Sequence, residues 1–114
     1  MLYDIGQWRV PEANSKKHLE FWNEHLAYQR AHRKKFPYLR SRLLSMNDPE
    51  TPGEEIWMWI DEYENQEAYD RLNKALRDDP ELSKYREDAY TRADTVMVPG
   101  SLKSELWTER IRVD

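Results

Sequence analysis

The stretch EIWMWIDEY, residues 55–63, is the strongest indication in this sequence of the kind of sheet that the chain forms. It follows a turn-rich loop, NDPETPGEE, and its composition predicts a strand. Because successive side chains of a strand point to opposite faces, this strand has an aliphatic face and an aromatic face. The two sets are Ile56, Met58 and Ile60 on one side and Trp57, Trp59 and Tyr63 on the other. A sheet containing this strand is therefore apolar on both faces.

The elements around this strand follow from turn signals and helical spacing. Pro37 ends a long helix, because the residue before a proline avoids the helical region. Asn65 and Asp79 can each cap a further helix, and Pro80 occupies the first helical position after Asp79. The predicted strands are 2–10, 38–47, 55–63 and 101–113, and the predicted helices are 12–36, 66–78 and 80–93. This β-α-β-β-α-β order predicts an α+β, ferredoxin-like fold, with a four-stranded antiparallel sheet and the helices on one face.

The second face of such a sheet has nothing in its own chain to cover it. Burying it against a second sheet would contribute several kcal/mol, at about 25 cal/mol per Å² before association costs. We therefore expect a homodimer packed sheet to sheet, with two-fold symmetry. The pattern does not indicate which of the two faces meets the helices.

Length and composition exclude several classes of protein. The 114 residues suit one domain, 1–114, and the absence of cysteine excludes disulfides and thiolate metal sites. A net charge of −4 argues against a nucleic-acid binder. The longest apolar run, residues 56–60, is far shorter than the ~20 residues of a membrane span, and no signal-peptide pattern is present. We expect a cytoplasmic protein without a membrane partner.

A basic block at residues 30–42 is interpreted as a helix terminus or as an anion-binding patch.

The three histidines, His18, His25 and His32, lie seven residues apart on the first predicted helix. Residues at this spacing are separated by about 10 Å along the helix axis, whereas zinc ligands all lie about 2 Å from the ion. The three side chains therefore cannot bind one metal ion together, and no HExxH pattern is present. We predict no metal site. No Gly-rich phosphate loop is present either, and no cofactor is expected.

On a helical wheel the histidines fall within the apolar arc of this helix, together with Gln29. Buried polar groups need partners, so this seam of four predicts a pocket between helix and sheet. His25 is the candidate general acid or base, because burial and hydrogen bonding can hold an imidazole pKa near the working pH. The candidate substrate-binding residues are His18, Trp22, Gln29, His32, Trp59 and Tyr63. Core imidazoles remain an alternative for His18 and His32, and Asp61, Glu62 and Glu64 are interpreted as a solvated strand end.

Two stretches resemble a known group of proteins. YDIGQW and the following HLEFW are similar to the first strand and helix of NIPSNAP-like proteins. WMWIDEYENQEAYDR is similar to the strand-to-helix passage of the NIPSNAP and antibiotic-biosynthesis-monooxygenase branches of the dimeric α/β-barrel superfamily. Gly6 departs from this pattern, because NIPSNAP-like proteins have arginine there. No histidine follows His32, which argues against the haem ligation found in some members.

The resemblance implies a pocket between sheet and helices in each protomer. Such pockets often serve cofactor-free oxygenases or isomerases that act on cyclic or aromatic substrates. Our first hypothesis is therefore a small cofactor-independent enzyme, a monooxygenase or an isomerase, with a small-molecule substrate. The alternative is a non-enzymatic, NIPSNAP-like or stress-related dimeric binding protein.

Overall fold

A computed structural model describes all residues, 1–114, and contains the predicted order of elements. The strands are β1 (Leu2–Pro11), β2 (Arg40–Asn47), β3 (Glu54–Tyr63) and β4 (Lys103–Thr108); the helices are α1 (Ser15–Ala31), α2 (Gln66–Asp78) and α3 (Pro80–Asp94). The strands form one antiparallel sheet in the order β2-β3-β1-β4. This arrangement confirms the predicted α+β, ferredoxin-like fold, and the sheet is open rather than closed into a barrel.

The structure confirms two predicted helix caps and changes the predicted bounds of α1 and the last strand. The side chain of Asn65 accepts a hydrogen bond from the Ala68 backbone N–H at 2.9 Å, and Asp79 caps α3 in the same way. The first helix is shorter than predicted, because 3-10 turns at residues 12–14 and 33–35 replace its two ends. The last strand ends at Thr108 instead of residue 113, and residues 109–114 have no strand partner.

The register of β1 and β3 settles which face of the sheet meets the helices. Trp57 lies directly opposite Trp8, and both are almost completely buried on the helix side. Ile56, Met58 and Ile60 therefore point to the other side, which no element of the chain covers. Two exposed side chains of β2, Leu44 and Met46, and Trp107 of β4 extend this open face.

Gly6 provides the space for the indole of Trp59. The two residues are direct cross-strand partners, and a Cβ atom on Gly6 would lie 2.3 Å from the Trp59 ring. No real side chain tolerates that distance, so any larger residue at position 6 would displace the indole from the strand. The departure from the arginine of NIPSNAP-like proteins therefore fits the position of Trp59.

Two groups of buried side chains hold the helices on the sheet. One group surrounds Tyr63 and includes Leu72 of α2 and Leu82 of α3. The other is formed by Trp8, Val10 and Trp57.

None of the helices combines the length and the hydrophobicity of a transmembrane segment.

The basic block at residues 30–42 is largely engaged in local structure. Arg33 donates to the backbone carbonyls of Phe36 and Tyr38, which fixes the connection between α1 and β2. Arg40 and Arg42 form ion pairs with the buried Glu62 at the end of β3. These contacts favour the structural interpretation of the block.

Candidate functional site

A cavity of about 190 Å³ lies between the helix face of the sheet and the three helices. Its sheet wall is built from β1, β2 and β3, and its opposite wall from α1, α2 and α3. An apolar cavity of about 150 Å³ is large enough for benzene, so this one accommodates a ring system of one or two rings. The polar and aromatic side chains on its walls include Asp4, Trp8, Trp22, His25, Gln29, Tyr38, Ser41, Trp59, Asp61, Tyr63 and Tyr85.

Tryptophan rings close one end of the cavity. Trp8 lies between Trp22 of α1 and Trp59 of β3, with ring centroids 5.5 and 5.1 Å away. Rings at such distances and tilts attract each other beyond their area of burial. Tyr85 of α3, which also lines the cavity, stacks on Tyr28, with 4.0 Å between the ring centroids. The cavity is thus bounded by flat, rigid aromatic side chains, which suits a planar ligand.

His25 is held on the helix wall by a hydrogen-bond network. Its Nδ1 lies 2.7 Å from the Tyr85 hydroxyl, which also donates to the His25 backbone carbonyl at 3.1 Å. Its Nε2 lies 3.2 Å from the amide nitrogen of Gln29. The Tyr38 hydroxyl in turn donates to the Gln29 side-chain oxygen. The network joins α1, α3 and the segment before β2.

One set of proton positions satisfies this whole network. The proton of His25 is then on Nδ1 and is donated to the Tyr85 hydroxyl, while Nε2 accepts from the Gln29 amide. Burial, together with the positive charge of Arg92, lowers the pKa of His25 to about 4. The pKa of His25 thus lies well below neutral pH, and not near it as the sequence interpretation expects. At neutral pH the ring is uncharged, and its Nε2 carries a lone pair that can accept a proton.

His18 lies in the core at the tryptophan end of the cavity. It is completely buried, and its Nε2 accepts hydrogen bonds from the indole N–H groups of Trp8 at 2.8 Å and Trp22 at 3.1 Å. Burial lowers the pKa of His18 to about 4. Its Nδ1 has no hydrogen-bond partner, and its nearest aromatic ring is Trp57, 4.8 Å away and edge to face. His18 thus fixes the tryptophan rings in place.

His32 does not reach the cavity. It is the residue after the end of α1, where its Nδ1 contacts the Tyr28 carbonyl at 2.9 Å. Its other ring nitrogen points towards Glu81, 3.7 Å away near the start of α3. Its position therefore gives no support to the expected substrate-binding role of His32.

Two carboxyl groups lie on the sheet wall of the cavity, opposite His25. Asp4 and Asp61 are direct cross-strand partners on β1 and β3, so their side chains share the helix face. The Ser41 hydroxyl donates to Asp61 Oδ1 at 2.5 Å, and the Ser104 hydroxyl donates to Asp4 Oδ1 at 3.2 Å. The second oxygen of each carboxyl group has no partner within the chain.

The environment of these carboxyl groups favours their protonated forms. Burial, with a smaller contribution from the nearby charge of Asp4, raises the pKa of Asp61 to about 7, although the hydrogen bond from Ser41 opposes the shift. Burial also raises the pKa of Asp4. Asp61 therefore retains its proton in a large fraction of the molecules near neutral pH. The interpretation of Asp61 and Glu62 as solvated residues is wrong, since Glu62 is also buried.

The structure brings together six of the seven side chains that the sequence singled out. His18, Trp22, His25, Gln29, Trp59 and Tyr63 line the cavity, and His32 does not. The sequence interpretation missed the carboxyl groups of Asp4 and Asp61 and the hydroxyl groups of Tyr38 and Tyr85. A signal existed for Asp61, because strand alternation places it on the same face as Trp59. No group of three or more His, Asp or Glu side chains is arranged to hold a metal ion.

No protein-family model matches the sequence, and a search of curated proteins finds no significant match. Solved structures do match the fold. A NIPSNAP domain protein from Burkholderia xenovorans aligns with a TM-score of 0.63 and 12% identity, over 100% of this chain and 99% of that protein. A monooxygenase from the gene ActVA-Orf6 of Streptomyces coelicolor, solved with nanaomycin D, aligns with a TM-score of 0.62 and 19% identity, over 98% and 89%.

A mutant of SnoaB, a cofactor-independent oxygenase from Streptomyces nogalater, aligns with a TM-score of 0.58 and 11% identity, over 98% of this chain and 95% of that one. At these identities the likenesses show the fold. The chain therefore has the fold shared by antibiotic-biosynthesis-monooxygenase-like and NIPSNAP-like proteins, as the two resembling stretches predicted.

The buried titratable groups make opposite contributions to stability between pH 4 and pH 7. The pKa of His18 and of His25 is about 4 in the folded chain, below the ordinary 6.5. Between these values the two histidines bind more protons in the unfolded chain than in the folded chain. They therefore lower the free energy of unfolding as the pH falls from 6.5. The pKa of Asp61 is about 7, above the ordinary 3.8. Its contribution is fully present below pH 3.8 and is lost as the pH rises through 7.

Replacing Asp61 by Asn removes the contribution that favours low pH. We expect the free energy of unfolding of Asp61→Asn to rise steadily from pH 4 to pH 7, and to exceed the wild-type value by roughly 2 to 4 kcal/mol at pH 8. Urea unfolding followed by tryptophan fluorescence at several pH values measures this. Glu64→Gln, an exposed substitution just beyond β3, serves as the control and should keep the wild-type profile. Superimposable profiles for Asp61→Asn and the wild type would contradict the burial of an ionisable carboxyl group here.

Proposed function

We propose that the protein is a small enzyme that removes a proton from a cyclic or aromatic substrate in the cavity between sheet and helices. The observation that carries this proposal is the pairing of an uncharged, hydrogen-bonded His25 with an aromatic cavity of about 190 Å³. His25 Nε2 is the proton acceptor, and its 3.2 Å contact with Gln29 is weak enough for a substrate to replace. Trp22 and Trp59 are the apolar walls, and the Tyr85 hydroxyl, 2.7 Å from Nδ1, orients the ring of His25.

Removal of this proton leaves an electron-rich anion, which has two possible fates. Reaction with O₂ gives an oxygenase, and return of the proton to another carbon gives an isomerase. A hydroxylated ring can supply all the electrons itself: 1-naphthol and O₂ give naphthoquinone and water, with one oxygen atom in each product. We favour the oxygenase, because the folds that match include a monooxygenase and a cofactor-independent oxygenase.

Oxygen uptake with 1-naphthol as the probe tests this proposal. We expect wild-type protein to accelerate uptake and to form naphthoquinone, detected by mass spectrometry. His25→Ala should lose about 100-fold or more of the rate, the usual contribution of a general base. His32→Ala removes the same side chain outside the cavity and should keep the wild-type rate. An unchanged rate in His25→Ala would contradict the role of His25.

The NIPSNAP-like alternative has one observation in its favour. The NIPSNAP domain protein aligns over nearly its whole length, with a TM-score as high as that of the monooxygenase. A non-enzymatic protein of this kind would bind a planar molecule in the cavity without consuming O₂. Binding of 1-naphthol without any turnover would therefore favour this alternative.

We further propose that the protein forms a homodimer through the open face of the sheet. This face carries a continuous set of apolar side chains that the chain itself does not cover: Ile5, Leu44, Met46, Ile56, Met58, Ile60 and Trp107. A two-fold axis brings the same patch of both copies together, which suits such a self-complementary surface. Exposed apolar patches of this kind usually mark an interface.

Sedimentation velocity with a matched pair of variants tests the dimer. Leu44 lies on the open face and Leu19 on the outside of α1, and each is 49% exposed in the isolated chain. We expect wild type and Leu19→Lys to sediment at twice the chain mass at micromolar concentration, and Leu44→Lys to shift towards the monomer by at least tenfold in dissociation constant. A monomeric wild type, or equal behaviour of the two variants, would contradict the proposal.

A further inference from the structure

The cavity has a second chemical group that the proposed function does not use, the carboxyl pair of Asp4 and Asp61 on the sheet wall. Each carboxyl group receives one serine hydroxyl on one oxygen and leaves the other oxygen without a partner. The two groups are cross-strand neighbours, so both cannot ionise without repelling each other at close range. The oxygens without a partner are open to the cavity, where a bound substrate can accept a proton that is retained on this pair.

We propose that Asp61, in its protonated form and with Asp4 as its neighbour, donates a hydrogen bond to a carbonyl oxygen of the substrate. The site would then take uncharged cyclic ketones of one or two rings, which enolise between Asp61 and His25. This inference rests on the proposed function, because Asp61 would bind the carbonyl group of the same substrate whose proton His25 removes.

The walls of the cavity fit this division of roles. A ring system that fills the cavity touches the sheet wall, which carries Asp61, and the helix wall, which carries His25. Trp59 flanks Asp61 on β3, and Tyr85 stacks on the His25 ring at 4.8 Å between centroids. A planar ketone between these aromatic walls therefore presents its oxygen and its neighbouring carbon to different titratable groups.

The step balances without a further reactant. The bond between hydrogen and the carbon beside the carbonyl breaks, and the proton moves to His25 Nε2. The electron pair forms the carbon–carbon double bond of an enolate, and the negative charge on its oxygen is stabilised by the Asp61 O–H. Return of the proton from His25 restores the ketone. In D₂O the proton on His25 exchanges with the solvent, so that a deuteron returns to the carbon. Each cycle therefore replaces one hydrogen of the substrate by deuterium.

The charges around Asp61 favour a donor rather than a carboxylate. Asp4 and Tyr63 share the sheet wall with Asp61, and the other titratable groups that line the cavity are Tyr38 before β2, His18 and His25 of α1, Tyr69 of α2, and Tyr85, Arg86 and Tyr90 of α3. Arg86 is the one permanent cation among them, and it lies over the exposed Tyr90 ring at the rim, 5.5 Å from the ring centroid. Burial and Asp4 raise the pKa of Asp61 to about 7, so the donor form is lost above neutral pH.

Deuterium exchange into 2-tetralone, a two-ring ketone, tests the inference by NMR. Wild-type protein should accelerate exchange beside the carbonyl, with a rate that falls as the pH rises above about 7. Asp61→Leu should lose about 100-fold of the rate, the usual effect of removing one such donor. Asp61→Asn, whose amide can still donate, should recover part of it and should lose the fall above pH 7. Glu64→Gln should behave as the wild type.

The controls separate this inference from the proposed function. Fluorescence quenching by 2-tetralone and circular dichroism show whether each variant binds the ketone and is folded. Exchange that requires His25 but survives in Asp61→Leu would overturn the donor role and leave the proposed function intact. An exchange rate that rises above pH 7 would indicate that Asp61 acts as a base, and would also overturn its donor role. Wild-type protein that does not bind 2-tetralone, or binds it without exchange, would contradict the inference for ketones, while oxygen uptake with 1-naphthol would still report on His25.

Discussion

Strand β3 directs its side chains alternately to two faces, and its helix-facing row builds the sheet wall of the cavity. Trp57, Trp59, Asp61 and Tyr63 form this row. The indole of Trp59 requires the bare backbone of Gly6 on the neighbouring strand, so the cavity depends on a residue without a side chain. A one-residue shift of register would send the whole row to the open face. The position of the candidate site is therefore set by strand pairing more than by the helices.

The two walls of the cavity hold titratable groups whose pKa values are displaced in opposite directions from their ordinary values. Burial keeps His25 uncharged at pH 7 and lets Asp61 retain a proton to about the same pH. Active sites can hold an acid and a base at the same pH when the environment displaces the two pKa values in different directions. Burial of His25 reduces stability at low pH, and burial of Asp61 reduces it at high pH. Displaced pKa values of this kind are common at functional sites.

Much of the fold follows from local signals in the sequence. The alternation in residues 55–63, the proline after α1 and the caps at Asn65 and Asp79 were sufficient to predict the order of elements. They could not identify the face that meets the helices, because both faces of β3 are apolar. That choice depends on the pairing of Trp57 with Trp8, and no local pattern contains that information. The cytoplasmic location and the homodimer stay predictions.

The site was predictable only in part, for reasons that differ between residues. Helical spacing placed His25 and Gln29 correctly on the inner face of α1. It misplaced His32, because α1 ends at Ala31 and the following backbone leaves the helical path. Asp61 was assigned to solvent because carboxylates at the end of a strand are usually solvated. The position of Asp4 beside it arises from cross-strand register between residues 57 positions apart, which a single sequence does not reveal.

A crystal structure of the protein with 2-tetralone tests the central claim most directly, namely that the cavity between sheet and helices binds an uncharged ring between a donor and a base. We expect the rings to lie between Trp59 and Tyr85, with the ketone oxygen about 3 Å from the Asp61 carboxyl group and the neighbouring carbon facing His25. A ketone bound on the open face of the sheet, or one in the cavity with its oxygen turned away from Asp61, would contradict it.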